Sequence, residues 1–192
     1  MRTPKHPRAA ALAGLLALAA CAAQPLPPWA TLPRDAILGA GDPMRAAIIE
    51  TAATFEGAAP SPAQAARAAA MIEWMATDVR WGGRWSEYAP YVGPKLAEAQ
   101  AELRDHLGVP VTAPPQLVVD GLFAASWGLR RSLPPALPAA AFPDPGRTLS
   151  NLAALPDLPR TKEATALLRN ELGRVENDRL LNQNTGGGSG RD

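Results

Sequence analysis

The chain has 192 residues, with 19 basic and 18 acidic side chains and a formal net charge of +1. This balance predicts no nucleic-acid partner and no basic patch for lipid headgroups. The single cysteine, Cys21, excludes an internal disulfide framework.

The first twenty residues have the three parts of a secretory signal peptide. Residues 1–8 carry Arg2, Lys5 and Arg8 without an acid, and residues 9–20 are entirely apolar or glycine. Small residues then surround the cysteine. The apolar segment is well short of the roughly 20 residues that span a bilayer as a helix. We therefore expect residues 1–20 to be a signal peptide, and the lack of an Arg-Arg pair favours the general secretion route.

The tetrapeptide Leu18-Ala19-Ala20-Cys21 resembles the lipobox of bacterial membrane lipoproteins. The resemblance implies cleavage before Cys21, which would carry a diacylglyceryl thioether and usually an amide-linked acyl chain such as palmitate. It implies a cell-envelope protein that contacts the membrane through the lipid on Cys21. Because Ala22 rather than Asp follows the cysteine, resemblance to enteric lipoproteins implies the outer membrane, with the protein facing the periplasm.

Two other interpretations of this segment stay open. Cys21 could be an inert small residue with cleavage after Ala22 or Ala23, or the apolar segment could be an uncleaved anchor. A free thiol in an oxidising compartment is a chemical liability that acylation removes, so the lone cysteine favours lipidation. Two or more acyl chains, at about 0.8 kcal/mol per buried methylene, would give stable anchoring.

The segment 21–41 is expected to be the lipidated cysteine followed by a proline-rich tether. Prolines stand at positions 25, 27, 28 and 33. Proline-rich chains are semi-extended, at about 3.1 Å per residue, so the tether would hold a folded domain, residues 42–182, off the bilayer. Residues 183–192 are expected to be a flexible tail.

Capped amphipathic segments predict an all-α fold, a small bundle of about four to five helices. Three of these segments end at a glycine, and they start at Asp42-Pro43, at Ser61-Pro62 and near Pro94. A last helix is expected over 161–181. A short helix could lie between the connector 132–146 and Pro156. The expected buried stripes are Met44, Ile48, Ala52 and Phe55; Ala65, Ala69, Ile72, Met75 and Val79; Leu96, Ala99, Leu103 and Leu107; and Ala164, Leu168, Leu172 and Val175.

The segment 116–131 is ambiguous between helix and hairpin. Val-Val-Asp-Gly-Leu-Phe is a two-residue hairpin signal. Pro114-Pro115 and Ala124-Ala125 favour a helix instead. As a helix it would be apolar nearly all round and therefore central in the domain. Leu117, Gly121, Ala124 and Gly128 would then form a flat face for close contact with another helix.

No motif for a catalytic triad, a phosphate loop or a zinc site occurs in the sequence, so we expect no catalytic residue, metal or cofactor. The strongest candidate cluster is Glu98, Glu102, Asp105 and His106, but helical spacing turns its carboxylates away from the buried stripe. Asp120 could titrate abnormally within an apolar segment, although it shares a face with Gln116 and Arg131. Glu73 and Asp78 are too far apart around a helix to form a paired carboxylate site.

Residues 81–91, the aromatic turn, are the best candidate for partner contact. They carry Trp81, Arg84, Trp85, Tyr88 and Tyr91 on a turn that Gly82-Gly83 permits. Arg80 and Arg84 could stack on Trp81 and Trp85. The rings could close one end of the bundle, or some could stay exposed and contact an envelope protein or a glycan. The sequence thus favours a structural or interaction protein, with a ligand- or glycan-binding module as the alternative and an envelope hydrolase as the weakest choice.

Overall fold

The computed structural model describes residues 29–37 and 41–185. The described residues form a bundle of α-helices with one 3-10 helix and no β-strand, so the all-α prediction is confirmed. The helices are α1 (Pro43–Glu56), α2 (Pro62–Asp78), α3 (Val92–Leu107), α4 (Pro115–Arg130), α5 (Pro145–Ala153) and α6 (Pro159–Thr185). The predicted signal peptide 1–20, Cys21, and residues 22–28 and 38–40 of the predicted tether lie outside the described residues, as do residues 186–192 of the predicted tail.

The helix starts follow the capping signals of the sequence. The Asp42 carboxylate accepts hydrogen bonds from the backbone N–H of Met44 and Arg45 at 2.9 and 3.3 Å. Ser61 and Gln64 form a complete capping box at the start of α2. Gly108 ends α3 in the left-handed conformation at φ 71°, which glycine adopts without strain.

The centre of the bundle is α2, which contacts α1, α3, α4 and α5. Every residue from Ala68 to Asp78 is buried. Alanines fill the first half of the helix, and their small side chains let neighbouring helices approach from several sides. The prediction that the helix at 116–131 is central is therefore wrong, because among the described helices α4 packs against α2 alone.

The ambiguous segment is the helix α4, so the hairpin alternative is wrong. The flat-face prediction required the glycines of α4 to face another helix, and they do not. A Cβ on Gly121 would lie 2.5 Å from Phe142 Cε2, and one on Gly128 would lie 3.2 Å from the Leu133 carbonyl oxygen. The proline-rich connector after α4 folds back over this face and seals it with the buried side chain of Phe142.

The apolar stripes predicted for α1, α3 and α6 are all buried. α6 packs against both α1 and α3 and thereby closes the side of the bundle away from α4. It extends to Thr185, beyond both the predicted end at Leu181 and the predicted domain limit at 182. The first residues of the predicted tail therefore continue the helix.

Residues 29–37, in the predicted tether, pack on the domain. Ala30 and Ala36 are buried in the core. The Ala30 N–H donates to Thr77 Oγ1 at 3.2 Å, and the Thr31 N–H donates to Gln116 Oε1 at 2.8 Å. The folded domain thus begins before residue 42. No helix in the described part of the chain has both the length and the apolar character needed to cross a bilayer.

Candidate functional site

The aromatic turn joins the end of α2 to α3 and is built around Trp85. This ring is 6% exposed, and its Nε1 donates to Asp78 Oδ2 at 2.8 Å. Tyr88 packs against it with ring centroids 5.2 Å apart. A Cβ on Gly82 would lie 3.0 Å from the same Asp78 oxygen, so glycine at this position lets the backbone pass close to the carboxylate. Trp85 therefore contributes to the core and closes this end of the bundle.

Trp81 and Arg84 lie at the edge of this cluster. Trp81 is half-buried, and its indole nitrogen is enclosed without a hydrogen-bond partner among the described residues. Arg84 is exposed, with Nε 3.5 Å from Asp78 Oδ2. Its guanidinium lies 6.0 Å from the centre of the Trp74 ring, so the cation–π contact involves a tryptophan of α2 rather than Trp81 or Trp85 as anticipated.

The two tyrosines differ in exposure. Tyr88 is half-buried, and burial raises the pKa of its phenol. Tyr91 is 51% exposed, and its hydroxyl donates to Glu171 Oε1 at 3.1 Å. This hydrogen bond to a carboxylate raises the pKa of Tyr91. Of the turn's two tyrosines, Tyr91 therefore presents the larger surface to solvent.

Hydrogen bonds to α6 fasten the aromatic turn. Glu171 accepts from the Ala89 N–H at 3.0 Å and from Arg174 Nη2 at 2.8 Å. The Arg174 guanidinium holds the pKa of Glu171 below its usual value. Arg174 also donates to the Glu87 carbonyl oxygen at 2.6 Å, and Arg179 pairs with the Glu87 carboxylate. The turn is thus held at several points, which presents its exposed side chains on a fixed backbone.

Two grooves flank Arg80 at this end of the bundle. One, of about 410 Å³, is lined by Trp85, Tyr88 and the start of α3. The other, of about 570 Å³, lies between the end of α2 and the loop before α4, and Thr77 and Val111 line it. Arg80 lines both grooves, so they form neighbouring parts of one surface.

A larger cleft, of about 940 Å³, lies at the opposite end of α2. Arg67, Trp127, Arg130 and Arg131 contribute to its walls. Arg67 pairs with Glu50, whereas Arg130 and Arg131 are exposed. This cleft could not be predicted from the sequence, because its residues come from α1, α2, α4 and the segment before α1, and no local pattern links them.

Three members of the predicted cluster on α3 make local contacts, and the fourth, Asp105, is exposed. Glu98 pairs with Lys95 at 3.2 Å. Glu102 accepts from the Thr161 N–H and hydroxyl, both at 2.7 Å, and so caps the start of α6. His106 Nε2 lies 3.1 Å from the Asn151 carbonyl oxygen. In the part of the chain that the structure describes, no group of three or more metal-ligating side chains converges.

The remaining candidate carboxylates also bind neighbouring groups. Glu73 is buried and pairs with Arg104 at 2.5 Å, and Gln100 Nε2 donates to it at 2.8 Å. Asp78 binds Trp85, as described above. Asp120 is exposed and accepts from Gln116 Nε2 at 2.9 Å, as its predicted polar face requires. Glu73 and Asp78 therefore hold separate structural contacts rather than one paired site.

Comparison of the chain with models of protein families, with curated proteins and with solved structures gave no match.

Proposed function

We propose that the chain is a lipid-anchored protein of the bacterial cell envelope with a structural or interaction role. The observation that carries the proposal is the tetrapeptide Leu18-Ala19-Ala20-Cys21, placed directly after a short apolar segment with a basic start. In this proposal Cys21 is acylated and anchors the domain in the outer membrane, facing the periplasm.

A binding role, rather than catalysis, is the function we propose for the domain. Four carboxylates that could have served in catalysis are engaged in fixed contacts instead. Glu73 pairs with Arg104, Asp78 binds the Trp85 indole, Glu102 caps α6, and Glu171 fastens the aromatic turn. Side chains held this way stabilise the fold and support a rigid display of the surface.

The aromatic turn is the contact surface that we propose for an envelope protein partner or a glycan. Tyr91 and Arg84 are exposed on a backbone that α6 holds in place. Tyr and Arg are enriched at binding hot spots, because each combines apolar area with hydrogen-bonding capacity. Trp85 would support this surface from beneath without touching the partner.

Metabolic acyl labelling and membrane fractionation test the anchor. The wild-type protein should take up label and sediment with membranes, and Cys21→Ser should lose both properties. Ala23→Ser is a matched control, since it changes a neighbouring small residue and leaves the tetrapeptide intact. A Cys21→Ser protein that still takes up label and sediments with membranes would contradict the proposal.

A second candidate function is binding of a small ligand or glycan beside the aromatic turn. The groove of about 410 Å³ next to Trp85 and Tyr88 favours it, since ligand sites are concave and aromatic-lined. Soluble peptidoglycan fragments can be titrated into the unlipidated protein by calorimetry. Saturable binding that Tyr88→Ala abolishes and Arg130→Ala preserves would support this function, and no heat of binding would exclude it for that ligand class.

A further inference from the structure

We propose that the protein rests on the bilayer through a defined surface at the amino-terminal end of α4. This surface, the Trp29 surface, consists of Trp29, Arg80, Val111 and Leu117. The inference deepens the proposed function and rests on it, because it takes Cys21 as the lipid anchor. The occupant of this surface is the headgroup region of a phospholipid membrane.

Contacts between distant parts of the chain bring these residues to one end of the bundle. Ala30, next to Trp29, donates its N–H to Thr77 Oγ1. Thr77, Arg80 and Val111 line the same groove of about 570 Å³. Thr31 is bound to Gln116, the residue before Leu117, by hydrogen bonds in both directions. The chain from Cys21 therefore enters the domain at the end of the bundle where the Trp29 surface lies.

The number of residues between the anchor and the domain limits how far this end can rise from the membrane. Trp29 is eight residues after Cys21 in the sequence. At a maximum of about 3.6 Å per residue, the connection spans no more than roughly 29 Å. α4 has 16 residues and is about 24 Å long at 1.5 Å per residue. Placing the opposite end of α4 on the bilayer would use nearly the whole reach of the connection, whereas the Trp29 surface can meet the bilayer at any length of the connection, so the reach favours the Trp29 surface.

Three of the four side chains of the Trp29 surface are apolar, which suits a membrane interface. Trp29 is 61% exposed, Val111 is 89% exposed and Leu117 is 36% exposed. Tryptophan is enriched at the headgroup level, where its ring contacts acyl chains and its N–H remains solvated. These side chains add an apolar contact to the anchor, so the membrane contact needs no basic patch.

The backbone beneath these side chains is held in place. Arg104, itself paired with buried Glu73, donates to the carbonyl oxygens of Pro110, Val111 and Ala113 at 3.1 to 3.2 Å. These three bonds fix the loop that carries Val111. An exposed apolar side chain on a fixed loop costs no further ordering of the backbone when it meets the bilayer.

Site-specific labelling of the full-length lipidated protein tests the orientation. Val111→Cys is compared with Leu133→Cys, a matched position that is also aliphatic and is 57% exposed beyond the other end of α4. Because Cys21 is acylated, the new thiol is the only free one and takes a nitroxide label. The proteins are reconstituted in phosphatidylethanolamine–phosphatidylglycerol vesicles, and the accessibility of each label to a water-soluble relaxation agent is measured.

We expect accessibility at position 111 to fall at least threefold on reconstitution, while accessibility at position 133 changes little. Equal accessibility at the two positions, or stronger protection at 133, would overturn the proposed orientation even with Cys21 acylated. Protection at 111 that disappears when each vesicle holds a single protein would indicate a second copy as the occupant and would also overturn it. Mass spectrometry of the same sample reports acylation separately, so an unmodified Cys21 would overturn the proposed function as well.

Discussion

Trp85→Ala would remove a ring that the aromatic turn encloses almost completely. A tryptophan buries about 200 Å² or more, and alanine retains only a small part of this. At about 25 cal/mol per Å² of lost apolar burial, the change costs roughly 4 kcal/mol. The lost hydrogen bond to Asp78 adds to this cost, and water entering beside the carboxylate offsets part of it. We expect a net loss of about 3–5 kcal/mol in the free energy of unfolding.

Two companion variants separate the ring from its hydrogen bond and from its surroundings. Trp85→Phe keeps an aromatic ring but removes the N–H, so it should cost about 1–2 kcal/mol beyond any repacking. Tyr91→Ala removes an exposed ring and should cost less than about 1 kcal/mol. Urea unfolding of the unlipidated chain, followed by far-ultraviolet circular dichroism, gives the three values.

The outcome for Trp85 decides between packing and partner contact. A loss below about 1 kcal/mol for Trp85→Ala would refute the packing described here, because a ring enclosed in this way cannot be removed at so small a cost. Partner capture from native envelopes provides the complementary measurement. Tyr91→Ala should capture less partner than the wild-type protein while its melting temperature stays unchanged. If the variant is as stable as the wild-type protein and captures as much partner, Tyr91 does not belong to the contact surface.

Arg104→Met leaves the buried carboxylate of Glu73 without its cation and should lower the free energy of unfolding in urea by about 3–5 kcal/mol. Arg169→Met, at an exposed pair, should lower it by less than about 1 kcal/mol. Equal losses for the two variants would contradict the buried pair. Gly121→Ala should destabilise by at least about 1–3 kcal/mol because its Cβ would overlap the connector, and Gly173→Ala, in open space within α6, should stabilise by about 0.5–1 kcal/mol; a tolerated Gly121→Ala would show that the connector does not seal α4. The Arg174 guanidinium holds the folded-state pKa of Glu171 below its ordinary value, so the contribution of this carboxylate to stability is present above the unfolded-state pKa and is lost as pH falls through the folded-state pKa. Glu171→Gln should therefore flatten the acid limb of the stability curve, and an unchanged limb would refute this linkage.

Most of the helices could be predicted from the sequence because their signals are local. The capping residues Asp42 and Ser61 and the glycine at 108 mark helix ends within a few residues of the chain. The stripe from Leu96 to Leu107 is buried because period-3.6 spacing places its members on one face. Such features need no knowledge of the rest of the fold.

The central helix could not be identified in the same way. α2 carries Glu73 and Asp78, which in a sequence suggest a solvated face. Both are buried because their partners, Arg104 and Trp85, come from outside α2. α4 is more apolar, but part of its burial comes from the proline-rich connector. Residue type alone could show neither that Leu117 stays exposed nor that the connector covers Gly121, because both depend on tertiary structure.

The candidate contact surface was only partly visible in the sequence. The aromatic turn is recognisable from its composition, but which of its rings are enclosed depends on Asp78 and on the contacts with α6. The Trp29 surface gave no pattern, because its residues are up to 88 positions apart, from Trp29 to Leu117. It forms only because residues 30 and 31 bind α2 and α4.

Acylation of Cys21 is tested most directly by the mass of the amino-terminal peptide from the protein purified out of bacterial membranes. We expect a peptide that begins at Cys21 and carries a diacylglyceryl group, with or without an amide-linked acyl chain. A peptide that begins at Ala23 or Gln24, after cleavage behind Ala22 or Ala23, would contradict the lipid anchor, as would an intact signal peptide or a peptide that begins at an unmodified Cys21.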